Sequence, residues 1–208
     1  MPEDANITDG RIADLALANM AKLIAAPNPF ALAVGFHKPH LPWAVPKSYY
    51  DFQPAVETIP LASNRTAPVD MPAVAFWDCA KSELRGYSNV DIEPGTPLDP
   101  TLARQWRRGY YAAVRYTDAQ IGRVLAGLKA GGVEDQTLVI FHADHGWQLG
   151  EHGEWCKQTT FELATRVPLM IKMPGARLLG RILTVLPALS WIYVGNHRHR
   201  VLPSPICA

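Results

Sequence analysis

The chain has 208 residues, 48% of them hydrophobic and 19% charged, with a formal net charge of +1 at pH 7. That length suffices for one sizeable core, and the near-balanced charge argues against a general nucleic-acid or membrane surface. Three cysteines give no disulfide framework and leave the compartment open; the acidic, polar start at Met1 is not a signal peptide.

Asp9 is expected to cap a helix from about Gly10 to Ala25, with Ile12, Ala16, Met20, Leu23 and Ile24 on one face. Residues 30–35, Phe-Ala-Leu-Ala-Val-Gly, then read as a short apolar strand. It empties into Phe36, His37, Lys38, Pro39, His40, Leu41, Pro42 and Trp43. A proline disfavours helical backbone in the residue before it, so Lys38 and Leu41 are extended and the two histidines sit on a stiff loop at a strand end. Histidine titrates near neutrality, so one of them could give a proton to a leaving oxygen. Packing on Trp43 or bonding to backbone would account for the same residues. Residues 44 to 98 are proline-rich and weakly periodic, which suits a functional lid and plain disorder equally.

The clearest helix starts at Asp99-Pro100, a capping residue followed by proline in the first turn. Leu102, Trp106, Tyr110, Ala113, Ile121, Val124, Leu125 and Leu128 form its apolar stripe, and Gly131-Gly132 ends it. Arg104, Arg107, Arg108 and Arg115 read as a solvated face rather than as an anion-binding one. Thr137 to Ala143 is β-rich and short, a buried strand, and Pro168 to Met173 is the third. Strand, long insertion, helix, strand, loop and strand together suit an α/β sheet with helices on its faces.

The loop after that second strand carries the chemistry. Asp144 and His145 lie where the strand ends and Gly146 lets the chain turn, so both can aim at one point. Ligands of open α/β sheets sit outside the carboxyl ends of the strands. A carboxylate and an imidazole there suit a divalent cation. Gly150, Glu151, His152 and Gly153 follow, then Lys157, which could hold an anion beside that cation. His142 is three residues from His145 and points elsewhere on a straight strand, so the two are poor joint ligands.

These blocks resemble the sulfatase family of the alkaline-phosphatase superfamily, and within it the branch of iduronate-2-sulfatase and its bacterial relatives. The matching stretches are residues 29–42, 110–123, 144–155 and 164–169, and the likeness runs from about residue 7 to 175. The resemblance implies an alkaline-phosphatase-like sheet flanked by helices and hydrolysis of sulfate esters of a small molecule or glycan. It implies Asp144 and His145 as calcium ligands, and His37 at the ester, protonating or stabilising the leaving oxygen. Lys157 would bind a sulfate oxygen and Trp147 would line the sugar pocket. A metal and a lysine can share the charge that builds on a sulfuryl group. A phosphoesterase of the same superfamily is the alternative activity.

Members of the family use a cysteine in a Cys-x-Pro-Ser-Arg context, oxidised to formylglycine, as nucleophile, and an Asp pair from their first strand as metal ligands. None of Cys79, Cys156 and Cys207 is followed by x-Pro-Ser-Arg, and Asp-Asp does not occur. The resemblance therefore implies an internal piece of a sulfatase domain, covering residues 1–175 and inactive alone, or a non-catalytic truncated product. After Glu162 there is no further acidic residue. The likeness stops past Gly175, so residues 176–208 are expected to be a divergent basic tail outside the fold, with a basic anchor as the alternative. The apolar stretch 178–194 carries Arg181 and Pro187 and is too interrupted for a membrane span.

Overall fold

The computed structural model describes Asp4, residues 7–78, 83–84 and 95–175, and the backbone of 183–185. Its first long element, α1, spans Thr8–Ala25 and buries Ala13, Ala16 and Met20. A short α2, Lys47–Asp51, follows. The 31-residue α3, Pro100–Ala130, packs against both. Asp99 caps α3 as expected, its carboxylate accepting from the backbone N–H groups of Thr101 and Leu102 at 2.9 and 3.0 Å. Such a cap satisfies donors that the first turn leaves unpaired.

Asp9 is not the cap expected of it. Ile7 occupies that position of α1 without a side-chain bond, while Asp9 lies in the first turn, fully buried and committed elsewhere. The stripe on α3 also departs in its second half. Leu125 is exposed, whereas Tyr116, Thr117 and Gln120 are buried. These polar groups go inside because they have partners there: Tyr116 and Gln120 bond Asp4, and Thr117 bonds Lys38.

Of the four arginines read as a solvated face, Arg115 is exposed while Arg104, Arg107 and Arg108 are not. Arg104 donates to the Ile59 carbonyl at 3.1 Å and Arg108 to that of Gln53 at 3.2 Å. Arg108 also lies over the Tyr50 ring and Arg115 over that of Phe52. Arg107 is buried. A planar guanidinium can stack and donate at once, and here it fastens residues 50–59 of the proline-rich segment onto the helix.

Two small sheets complete this partial α/β domain. In the first, β1 (Val139–His142) pairs antiparallel with β4 (Val167–Lys172), from Val139 opposite Lys172 to His142 opposite Leu169. On its other side β4 pairs with β5 (Leu183–Val185), again antiparallel. β1 is half-buried rather than buried. The second sheet is the two-residue pair β2 (Gln148–Leu149) and β3 (Trp155–Cys156). Between β3 and β4 lies one turn of helix, α4 (Glu162–Thr165).

Residues 30–37 alternate in exposure at every residue, but they form no ladder with any described residue. A strand is defined by its partner's hydrogen bonds, and the expected strand at 30–35 has only the alternation. Of the basic tail, only the backbone of 183–185 is described, and it supplies β5. The rest of the tail, including the stretch 178–194 apart from those residues, lies outside the described residues. Among the described residues, no helix is long and apolar enough to cross a membrane.

The core lies between α3 and loops rather than on the sheet. Trp106 and Ala103 of α3 meet Trp155 and Cys156 of β3, Leu41 and Trp43, and Leu84 and Leu98. Trp106 and Trp155 meet edge to face at 5.0 Å, a favoured arrangement for aromatic pairs.

Candidate functional site

Two irregular loops build the site. The first carries His37 and His40, and its main chain is held at almost every step. Both carboxylate oxygens of Asp9 accept backbone N–H bonds, one from His37 and one from Lys38, each at 2.8 Å. Thr117 donates to the Lys38 carbonyl at 3.1 Å, and the Trp43 indole to that of Pro39 at 3.0 Å. The Lys38 ammonium folds back onto the carbonyls of His40 and Pro42. Burial, with the Asp9 carboxylate opposing it less strongly, lowers the pKa of that ammonium.

The second loop runs from Asp144 to Lys157. Gly146 is needed for proximity: a Cβ there would lie 2.0 Å from the Leu163 carbonyl oxygen, and its N–H donates to the Ala164 carbonyl at 2.8 Å. Gly150 adopts φ 100°, a left-handed value that glycine tolerates. Glu151 then closes the bend, accepting from the Leu149 N–H at 2.6 Å and from Arg107 at 3.2 Å, while Arg107 also donates to the Leu149 carbonyl. Cys156, buried and at φ 67°, is in a disulfide whose partner lies outside the described residues. Three cysteines thus supply one crosslink, directly before Lys157.

The loops meet at Lys157. Its Nζ lies 2.6 Å from His40 Nε2 and 3.0 Å from a carboxylate oxygen of Glu83. The ammonium sits 5.0 Å from the centre of the Trp147 ring. That indole is also flanked by His40 at 5.9 Å, by His145 at 6.1 Å and by Tyr110 at 6.1 Å. His37 lies one ring further along, 4.8 Å from His40. Asp144 contacts the cluster through His145, accepting its backbone N–H at 3.1 Å. His37, His40, Asp144, His145, Trp147 and Lys157 thus form one continuous run of contacts.

The protonation pattern follows from the partners. His40 Nδ1 is 2.8 Å from the Leu41 carbonyl oxygen, which can only accept, so Nδ1 carries the hydrogen. Nε2 then accepts from the Lys157 ammonium, and the ring is neutral. Burial, then the positive charge of Lys38, holds the His37 pKa below the usual histidine value, against a smaller pull from Asp9. Desolvation always disfavours the charged form. Tyr110, behind Trp147, is pushed up to about 12, by burial first and the Glu151 carboxylate second.

The residues alone left both histidines open and the resemblance singled out His37, while the contact to Lys157 is made by His40. Three proline-spaced positions gave no means to rank the two rings. Glu83 and Tyr110 were missed as members of the cluster. Glu83 lies in the weakly patterned segment, and Tyr110 read as helix stripe. Asp9 was read as a cap, because its sequence context is that of a helix start.

Asp144 and His145 alone do not fit a calcium site. The Asp144 side chain is 86% exposed, and His145 Nδ1 is engaged with the Gly146 carbonyl at 2.8 Å. No group of three or more His, Cys, Asp or Glu side chains able to hold a metal occurs among the described residues. Calcium takes six to eight oxygens, and one carboxylate with one imidazole falls well short. Cys156, buried in its disulfide, is not placed as a formylglycine precursor; Cys79 and Cys207 lie outside the described residues.

A partial α/β domain that gathers a lysine, three imidazoles and an indole from two loops has the alkaline-phosphatase-like fold of its structural neighbours. The chain belongs to the sulfatase family: the model for that family, Sulfatase, matches residues 2–179. It is 38% identical over 175 residues to iduronate 2-sulfatase of Mus musculus, covering 83% of this chain and 31% of that one. To iduronate 2-sulfatase of Homo sapiens it is 37% identical, covering 83% and 32%. Among solved structures, a phosphonate monoester hydrolase from Silicibacter pomeroyi superposes with a TM-score of 0.67 at 27% identity, covering 84% of this chain and 34% of that one. The chain therefore spans about a third of the length of these relatives.

Proposed function

We propose that this chain carries the lysine-and-histidine half of a sulfate-ester site of the iduronate-2-sulfatase type. It holds the sulfate group of a sulfated small molecule or glycan without turning it over alone. The observation that carries the reading is the Lys157–His40 contact at 2.6 Å beside the Trp147 ring. A half-buried ammonium next to a neutral imidazole presents donors to a tetrahedral anion in a place where water screens them little.

Lys157 would take a non-bridging sulfate oxygen. His40, once protonated at Nε2, would donate to the ester oxygen as it departs. The acid role expected of His37 passes to His40 on distance, with His37 as the ring behind it. Trp147 would form the apolar wall against which a sugar ring stacks. Asp144 and His145 would contribute to a divalent metal site whose remaining ligands are not among the described residues. No step is derived through that metal. With no Cys-x-Pro-Ser-Arg in the 208 residues, the chain offers no formylglycine nucleophile, hence binding without turnover.

A second reading, a phosphate or phosphonate ester in place of the sulfate ester, is favoured by the likeness to the phosphonate monoester hydrolase. Titrating the full chain with inorganic sulfate, and separately with inorganic phosphate, while following backbone and imidazole NMR signals separates the two. Saturable shifts at Lys157 and His40 with sulfate, lost in Lys157→Ala, are the expected result. Stronger binding of phosphate at a pH where it is a dianion would favour the second reading. The absence of any saturable shift at these residues would overturn both. An aryl sulfate incubated with the chain should give no product, and steady release of phenol would overturn the non-catalytic part.

A further inference from the structure

We infer that Asp9 is the positioning residue of the anion site: its buried carboxylate fixes the main chain of His37 and Lys38 so that His40 Nε2 meets Lys157. Asp9 is 28 residues from His37 in sequence and touches no group that would contact an anion. It has no solvent exposure. Both of its oxygens are spent on the backbone of the histidine loop, at 2.8 Å each. A buried carboxylate is costly unless hydrogen-bonded, and bonds from N–H groups to an ionised oxygen are the stronger kind. Two of them on successive amides fix both the position and the orientation of the two peptide planes that flank His37.

Asp9 is itself held rigidly. It lies in the first turn of α1. The next backbone N–H, of Gly10, donates to the Tyr116 hydroxyl at 2.8 Å, and that hydroxyl donates to the Asp4 carbonyl at 3.0 Å. Thr117, one residue along α3, grips the Lys38 carbonyl from the opposite side. The histidine loop is therefore clamped between α1 and α3, although it contains no regular structure. From Lys38 the chain needs two residues to reach His40, whose ring is locked by the Leu41 carbonyl. Releasing the Asp9 end frees the loop to swing His40 away from Lys157, which is anchored independently through β3 and Glu83.

This inference rests on the sulfate reading only for its binding readout. Asp9→Asn keeps size and shape but turns one acceptor into a donor facing a backbone N–H. The full chain and this variant are compared by the imidazole nitrogen shifts of His40 and by the dissociation constant for inorganic sulfate, both well below the melting temperature. The expected result is a His40 Nε2 signal moved toward that of an exposed imidazole, with sulfate bound about tenfold more weakly. A lower melting temperature with unchanged His40 shifts and sulfate affinity would overturn the proposal, leaving Asp9 a merely structural group. If Asp9→Asn does not fold, Thr117→Val slackens the same loop from its other side. His40 must then shift, and an unmoved His40 overturns the clamp. Should the unmodified chain bind no sulfate while Asp9→Asn still displaces His40, the sulfate reading fails and the positioning role stands.

Discussion

The two ends of the candidate site are built differently. The lysine end rests on the aromatic core: Lys157 follows Trp155 and Cys156 directly, and its side chain is 12% exposed, its partner Glu83 17%. The Asp144 end hangs from β1, on a sheet whose Met170 and Ile171 are 42% and 43% exposed. One end is enclosed, its lysine held by His40 and Glu83. The other offers a carboxylate to solvent. Pre-organised donors cost little reorganisation when an anion arrives, whereas an exposed carboxylate must be ordered by whatever binds it. The chain thus holds an enclosed lysine end and an open carboxylate end.

The largest expected effects come from breaking the enclosed end. Trp155→Ala removes the ring that packs on Trp106 and lines the core behind Lys157. Truncations of buried aromatics cost about 3–5 kcal/mol, a large part of the stability of an ordinary domain. Denaturant unfolding followed by circular dichroism should show a midpoint far below that of the unmodified chain. A near-normal midpoint would mean that the loops do not depend on this core. Gly146→Ala strikes the hinge between the two ends, since its Cβ would meet the Leu163 carbonyl. It should displace the backbone of Asp144 and His145, visible as large amide shifts there, while the Lys157–His40 contact persists.

The same contrast explains what was legible in the sequence. The long helix, its Asp99 cap and the strand before Asp144 could be read because period, cap and apolar run are local signals. The grouping of Lys157 with the histidine loop followed from the family resemblance, not from spacing. What could not be read was every contact made across sequence distance by a side chain onto backbone. Asp9 looked like a cap because a helix start and a buried clamp call for the same residue. Arg107 and Arg108 looked solvated because stacking and carbonyl bonding leave no periodic trace. The strand at 30–35 showed the right pattern, but a pattern cannot supply the neighbour that makes a ladder.

A pH titration sharpens the enclosed end further. Glu154 has no solvent exposure, and one of its oxygens has no hydrogen-bond partner. Burial pushes its pKa up from 4.5 to about 7, against a weak pull from the Trp77 N–H. A raised carboxyl pKa means that the folded chain holds a proton the unfolded chain has lost. Stability should therefore fall as pH rises from about 4.5 to about 7 and level off above that, with a slope of at most about 1.4 kcal/mol per pH unit from this group. Glu154→Gln keeps the buried amide neutral and should flatten that slope. An equal slope in both proteins would place the titration elsewhere.

The smallest effect should come from the sheet. Lys172, on β4, pairs with Glu134 at 2.8 Å, and that carboxylate is held below its usual value by the ammonium's hydrogen bond and charge. The pair bridges the sheet to the turn after α3, but the Glu134 side chain is 42% exposed, and solvent and salt screen such pairs until they contribute little. Lys172→Met should thus leave the unfolding midpoint almost unchanged, and added salt should erase what difference remains. Were the loss instead as large as that of Trp155→Ala, the sheet would be carrying the fold and the division between the two ends would be misplaced. Because Lys172 lies opposite Val139 at the far end of the ladder from His142, the Asp144 amide should not move in this variant. A shift there would show that strain travels along β1 to the open end of the site.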